Sequence, residues 1–74
     1  MSATPFALRG EYITLDALLK ATGLATSGGV AKLMITDGLV EVDGRIELRK
    51  TCKIRAGQRV ALQGAQIRVE AAPG

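Results

Sequence analysis

Six of the chain's ten basic side chains fall within one stretch of fifteen residues. Residues 45–59, RIELRKTCKIRAGQR, hold Arg45, Arg49, Lys50, Lys53, Arg55 and Arg59 against a single acid, Glu47, for a net charge of +5. The other 59 residues carry four basic and six acidic side chains, a net −2, so the overall +3 conceals a concentrated cationic segment. Guanidinium forks pair with phosphate through two hydrogen bonds, and lysine adds a mobile point charge. A polyanion is held by side chains that reach its phosphates together, so local charge counts for more than the average. A charge run is commonly no more than a solvated face, but the near absence of acids in this window favours anion binding. Strand alternation is expected to turn some of Arg55, Arg59 and Arg68 away from a shared surface.

A second candidate anion site is Thr26-Ser27-Gly28-Gly29. Hydroxyls, the unpaired N–H groups of a helix start and glycines that admit close approach suit a phosphate, and Lys32 lies one turn further in. An ordinary capped helix start explains the same residues, because every helix needs a cap. The glycine and lysine spacing is wrong for a nucleotide-binding P-loop.

Little else in the chain suggests chemistry. There is no histidine and a single cysteine, so a structural zinc site has no ligand set and an internal disulfide is excluded. The basic neighbours of Cys52 would lower its pKa, yet a small side chain packed under a loop explains it better. Glu41, Asp43 and Glu47 have no acid, base or nucleophile for a partner in the sequence, and no catalytic constellation emerges. A non-enzyme without cofactor or metal is expected. Only Phe6 and Tyr12 are aromatic, and Tyr12 reads as an edge of the core. Base stacking, the usual means of reading single strands, is therefore poorly supported. No apolar run is long enough to span a bilayer, and the start MSATPFALRGEY lacks a signal peptide's basic-then-apolar order, so a cytoplasmic location is expected.

These residues must be positioned by a single small domain with an aliphatic core. The expected organisation is a flexible terminus at 1–5, one domain at 6–70 and a flexible tail at 71–74. Phe6–Ile13 reads as a short edge strand. Thr14 occupies an N-cap position, and Leu15, Leu18 and Leu19 share one face of a helix over 15–22 that Gly23 ends. Thr26 or Ser27 caps a second helix over 28–37, with Val30, Leu33, Met34 and Asp37 in helical register and Gly38 as its stop. The period then falls to two. Val40 and Val42 alternate with acids, Asp43-Gly44 is a hairpin signal, and Ile46 and Leu48 form the returning arm. Ile54 begins another extended piece, Ala56-Gly57-Gln58 a turn, Arg59–Gln63 a strand, Gly64-Ala65 a tight turn, and Gln66–Glu70 the last strand. Two short helices packed on a small curled antiparallel sheet of 3–5 strands make an α+β fold.

The stretch from Thr14 to Leu62 resembles the S-four-type RNA-binding domain, or alpha-L motif, named after a small-subunit ribosomal protein. The matching pieces are Leu15-Asp16-x-x-Leu19, Thr26-Ser27, Ala31-Lys32-x-x-Ile35, Gly38-Leu39-Val40-Glu41-Val42-Asp43-Gly44 and Ala56-Gly57-Gln58-Arg59-Val60, in order and covering about two-thirds of the chain. The short length and the Arg49-Lys50-x-Cys52-Lys53-Ile54 run look most like the small stand-alone bacterial members. The resemblance implies a monomeric, non-catalytic module. Its partner would be structured RNA (a hairpin or junction, ribosomal or transfer RNA), with a ribosome or an RNA-modifying enzyme as its setting. It implies RNA lying across the helix corner and the nearby strand loops, which puts Thr26, Ser27, Gly28, Gly29, Lys32, Arg45, Arg49, Lys50, Lys53 and Arg55 in contact with it. The Thr26–Lys32 and Arg45–Lys53 regions should then meet on one face. One position departs from the family pattern. The Arg that usually follows the corner Ser is Gly28 here, so the corner offers backbone and Lys32.

Two other readings fit the outline. A DNA-binding helix-turn-helix with a hairpin wing has the same element order, but the presumed recognition helix carries only Lys32 and Thr36 as base-reading side chains. A protein-interaction adaptor on the ribosome would use the basic run for solubility alone. No membrane and no small-molecule substrate is expected in any of these readings.

Overall fold

The computed structural model describes residues 3–72. The order of elements is β1 (Thr4–Leu8), β2 (Ile13–Thr14), α1 (Leu15–Ala21), α2 (Gly28–Thr36), β3 (Val40–Val42), β4 (Arg45–Ile46), β5 (Lys53–Ile54), β6 (Arg59–Leu62) and β7 (Ala65–Ala71). The fold is α+β, as expected. Five strands form one sheet in the order β1-β7-β6-β3-β4, and β2 pairs with β5 in a separate two-stranded ladder.

The sheet is mixed rather than antiparallel throughout, because β1 runs parallel to β7, with Phe6 opposite Val69. β1 also begins at Thr4 and β7 continues through Ala71. The β1–β7 ladder therefore reaches past both bounds of the expected 6–70 domain. Of the expected flexible ends, residues 1–2 and 73–74 lie outside the described residues. The single edge strand expected over Phe6–Ile13 is broken at Gly10, whose φ of +90° turns the chain from β1 into β2.

Both helices lie within one residue of expectation. Leu15, Leu18 and Leu19 of α1 and Ala31 and Ile35 of α2 are fully buried. They join Val40, Ile54, Val60, Leu62, Ile67 and Val69 from the strands in one aliphatic core, and no polar side chain is buried among the described residues. Alternation along β6 and β7 buries Val60, Leu62, Ile67 and Val69 and leaves Arg59, Gln66 and Arg68 outside.

The Asp43-Gly44 turn has both residues at positive φ, +52° and +85°, as a two-residue type I′ hairpin requires. This turn length decides where the returning arm points. It sets Val42 opposite Arg45 and Glu41 opposite Ile46. Because Glu41 faces solvent, Ile46 does too, and Ile46 and Leu48 stay 61% and 58% exposed rather than packing inward. The turn between β6 and β7 is also type I′ in its φ values, but it is Gln63-Gly64 (+47° and +87°), one residue before the expected Gly64-Ala65.

Leu18→Ala or Ile35→Ala, each emptying a fully buried position, is expected to cost about 2–5 kcal/mol. The measurement is the urea midpoint at unchanged slope. Leu33→Ala, on the exposed side of α2, should stay within about 0.5 kcal/mol of the parent.

Candidate nucleic-acid interface

The basic segment is anchored by its backbone, which leaves its side chains in solvent. The first two N–H groups of α1 have no acceptor within their own helix. Leu15 N–H donates to the Cys52 carbonyl at 2.8 Å and Asp16 N–H to the Lys50 carbonyl at 3.1 Å. Thr14 holds the N-cap position but its side chain makes no capping bond, contrary to the sequence expectation. The loop has taken over the cap's task. A turn closed by Cys52 N–H to the Arg49 carbonyl (3.2 Å) completes the loop.

Within this loop Arg49 is engaged. Glu47 accepts from the Arg49 backbone N–H (3.0 Å), from Nε (3.0 Å) and from Nη2 (3.2 Å). These bonds hold the Glu47 carboxyl at a pKa of about 2, chiefly through the Arg49 side chain and then its backbone N–H. The Arg49 side chain remains 77% exposed. Beside it lies a shallow depression lined by Arg49, Thr51, Cys52 and Lys53. Cys52 is half-buried, and burial, followed by the nearby Glu47 charge, pushes its thiol pKa upward, which is the reverse of activation.

All ten basic side chains are exposed. Among the described residues only Arg49 and Arg68 form ion pairs, with Glu47 and Glu70. The strand register sorts the remainder. Arg45 lies opposite inward-facing Val42, on the helix side of the sheet edge. Arg59 lies opposite Arg68, on the outer face, so these two are turned away as alternation anticipated. Lys50 sits in the turn, and Lys53 and Arg55 flank a ring. The Lys53 Nζ is 4.9 Å and the Arg55 Cζ 6.0 Å from the centroid of Tyr12. Tyr12 is 42% exposed, not an edge of the core. Exposed cation–π contacts of this kind contribute roughly 0.5–1 kcal/mol each. Their cause is the β2–β5 ladder, which pairs Ile13 with Ile54 and Thr14 with Lys53. That pairing is long-range and left no local signal in the sequence.

The helix corner is a separate feature. Ser27, not Thr26, is the N-cap of α2. Its Oγ accepts from Val30 N–H at 3.2 Å. The N–H groups of Gly28 and Gly29, in the first turn, have no intrahelical acceptor. A Cβ added at Gly28 would meet nothing within 4 Å, and one at Gly29 only the Ser27 Oγ at 3.9 Å. Neither glycine is demanded by crowding or by a positive φ. Lys32 is exposed one turn on. No hydrogen bond or ion pair among the described residues links Thr26–Lys32 to Arg45–Lys53. The loop is tied to the start of α1 and the corner follows its end, so about 10 Å of helix separates them.

The two glycine-bearing motif pieces do meet. The Asp43 carboxylate accepts from Arg59 N–H (3.0 Å) and from Gln58 Nε2 (3.1 Å), and Asp43 N–H donates to the Arg59 carbonyl (2.8 Å). These bonds hold its pKa below the usual carboxylate value, the Arg59 N–H contributing most. Asp43 is thus a clasp between two turns as well as a turn former. No group of three or more potential metal ligands occurs among the described residues, and no helix there is long and apolar enough to cross a membrane.

The family model described as the S4 domain matches residues 6–70. The chain is 47% identical over 60 residues to a protein of Escherichia coli (strain K12) named "Putative RNA-binding protein YbcJ", covering 81% of this chain and 86% of the relative. The Shigella flexneri protein "Uncharacterized protein YbcJ" matches to the same extent. The solution structure of YbcJ from E. coli, described as revealing an alfaL motif involved in RNA-binding, superposes with a TM-score of 0.74 at 42% identity. That match covers 96% of this chain and 91% of the other.

Glu47 reports on the loop. Its folded pKa of about 2 lies below the ordinary 4.5. It therefore contributes stability that is fully present above pH 4.5 and is lost as pH falls from there through 2. Side-chain carboxyl NMR should give a midpoint near 2, moving back towards 4.5 in Arg49→Ala.

Proposed function

The chain belongs to the S4 domain family, and on that premise we propose that it is a non-catalytic cytoplasmic module that binds structured RNA through backbone phosphates and shape. The observation that carries the reading is the loop from Arg49 to Lys53. Its backbone is pinned to α1 through the Cys52 and Lys50 carbonyls, while its cationic side chains project into solvent. A fixed backbone under mobile cations lowers the ordering cost of binding a polyanion. Lys50 and Lys53 act as point charges, Arg49 offers the open part of a guanidinium already aligned by Glu47, and Arg45 and Arg55 extend the positive field to either side. The family relationship supports the reading, since the E. coli relative is named as an RNA-binding protein.

The corner plays the lesser part. Ser27, next to Thr26, retains its O–H as a donor while its oxygen caps Val30, the Gly28 and Gly29 N–H groups lack an intrahelical acceptor, and Lys32 adds one charge. Because the corner and the loop stand at opposite ends of α1, a single ligand must bridge them. A folded hairpin or junction, such as occurs in ribosomal or transfer RNA, has the breadth to do so, in a ribosome or beside an RNA-modifying enzyme.

A DNA-reading winged helix is less well supported. The Thr36 hydroxyl donates back to the Lys32 and Leu33 carbonyls, at 3.1 and 3.2 Å, and Leu33, beside Lys32, is 64% exposed and apolar.

Fluorescence anisotropy across a salt series should show an RNA hairpin bound in preference to matched duplex DNA. Arg49→Ala/Lys50→Ala/Lys53→Ala should weaken binding for all sequences alike and flatten the salt slope by roughly two to three. Equal binding of duplex DNA would favour the winged-helix reading, and an unchanged slope would favour an adaptor whose basic run serves solubility. Gly28→Arg fits the open space at the corner. It should fold normally and tighten hairpin binding several-fold, as one added charge-assisted phosphate contact would. An unchanged affinity would remove the corner from the interface.

A further inference from the structure

We propose that Tyr12 stacks an unpaired nucleobase lying next to the phosphates held by the Arg49–Lys53 loop, an inference that rests on the RNA-binding reading above. Tyr12 and Phe6 are the chain's only aromatic residues. They are six positions apart in sequence, Phe6 in β1 and Tyr12 just before β2, and both line one groove of about 370 Å³ together with Arg9 and Ile13. Phe6 and Ile13 pack against the core, which makes the groove floor rigid and apolar. Tyr12 stands over it with 42% of its surface open.

The surroundings select the occupant. A planar apolar body suits the ring and the floor, and the rim is cationic, with Arg9 lining the groove and Lys53 and Arg55 within 4.9 and 6.0 Å of the Tyr12 ring centre. A flat ring bearing a phosphate is a nucleotide. Lys53 also borders the depression beside Arg49, so one lysine links the phosphate-binding loop to the ring. Its ammonium, on a flexible stem, can turn from the ring to a phosphate as a base takes its place. Every base has a π-face, so such a site accepts any of the four and adds affinity without sequence selection.

The same contacts have a plainer role, tethering β2 to β5, and the test separates the two. A blunt RNA hairpin is compared with one carrying a short unpaired overhang that contains 2-aminopurine. The overhang should tighten binding roughly five- to 150-fold, the range measured for loss of one base–aromatic stack, and should quench the 2-aminopurine emission. Tyr12→Ala should erase that gain and the quenching while leaving the blunt hairpin's affinity unchanged, and Tyr12→Phe should keep both. An overhang that gives wild-type protein no gain overturns the inference, as does a Tyr12→Ala variant that loses blunt and tailed hairpins equally. Arg49→Ala/Lys50→Ala should weaken both hairpins. If wild-type protein binds the blunt hairpin without salt dependence, the phosphate reading itself fails and the stacking site goes with it.

Discussion

Two backbone hydrogen bonds, from Leu15 N–H to Cys52 and from Asp16 N–H to Lys50, organise the basic half of this molecule. A helix start leaves donors that must be satisfied and concentrates positive potential. Here carbonyls from a distant, strongly basic loop meet both needs, where a side chain from the preceding residue would ordinarily do so. The start of α1 is therefore closed to anions. The loop's peptide dipoles point inward, and its lysines and arginines have nowhere to go but solvent. A Thr14 side-chain cap would satisfy only one first-turn donor, at the second or third helical residue, whereas the two loop carbonyls take both Leu15 and Asp16 and in doing so fix the loop itself.

A second clasp works at the other end of the same segment. Asp43 sits at φ +52° in a two-residue turn, and its carboxylate binds Gln58 and the Arg59 backbone. The β3–β4 hairpin is thereby locked to the turn before β6, and the chain between them, residues 45–57, is held at both ends and in the middle. This accounts for the pairing of an Asp-Gly and a Gly-Gln motif at a fixed distance in one sequence. Their side chains bond to one another, and the loop they bracket carries five of the six clustered cations.

The elements that were legible in the sequence are those whose determinants are local. Leu15, Leu18 and Leu19 mark a helix by spacing alone, Ser27 and Gly38 mark helix ends, and Asp43-Gly44 marks a turn that only such residues enter comfortably. The Gln63-Gly64 turn was misplaced by one residue because glutamine is seldom found at positive φ, and only the β6–β7 register forces it there. Ile46 alternates with charges, but alternation reveals only that a strand has two faces and not which is inner, and it is the turn length that places Ile46 outside. The parallel β1–β7 pairing and the β2–β5 ladder join residues about forty to sixty positions apart, and no window of sequence reports them. Tyr12 was misread for this reason: its neighbours Lys53, in the far strand of that ladder, and Arg55, just beyond it, are distant in sequence.

Charge sorting follows from the same registers and bears on how the surface works. Among the described residues no polar side chain is buried, so the strand-borne cations Arg45, Lys53, Arg59 and Arg68 must lie outside the core, and strand parity decides on which side. Parity sends Arg59 and Arg68 to the outer sheet face, directly opposite one another, where like charges repel and Glu70 offsets one of them. It leaves Arg45 on the helix side and sets Lys53 and Arg55 around Tyr12. Glu47 then neutralises part of Arg49's charge while fixing its direction. The segment's +5 is therefore not a uniform patch. In the proposed reading, Lys50 and Lys53 supply most of the unpaired charge at the loop and Arg49 supplies geometry. Such a surface would recognise where phosphates are placed more than how many there are, which is the property expected of a module that binds RNA by shape.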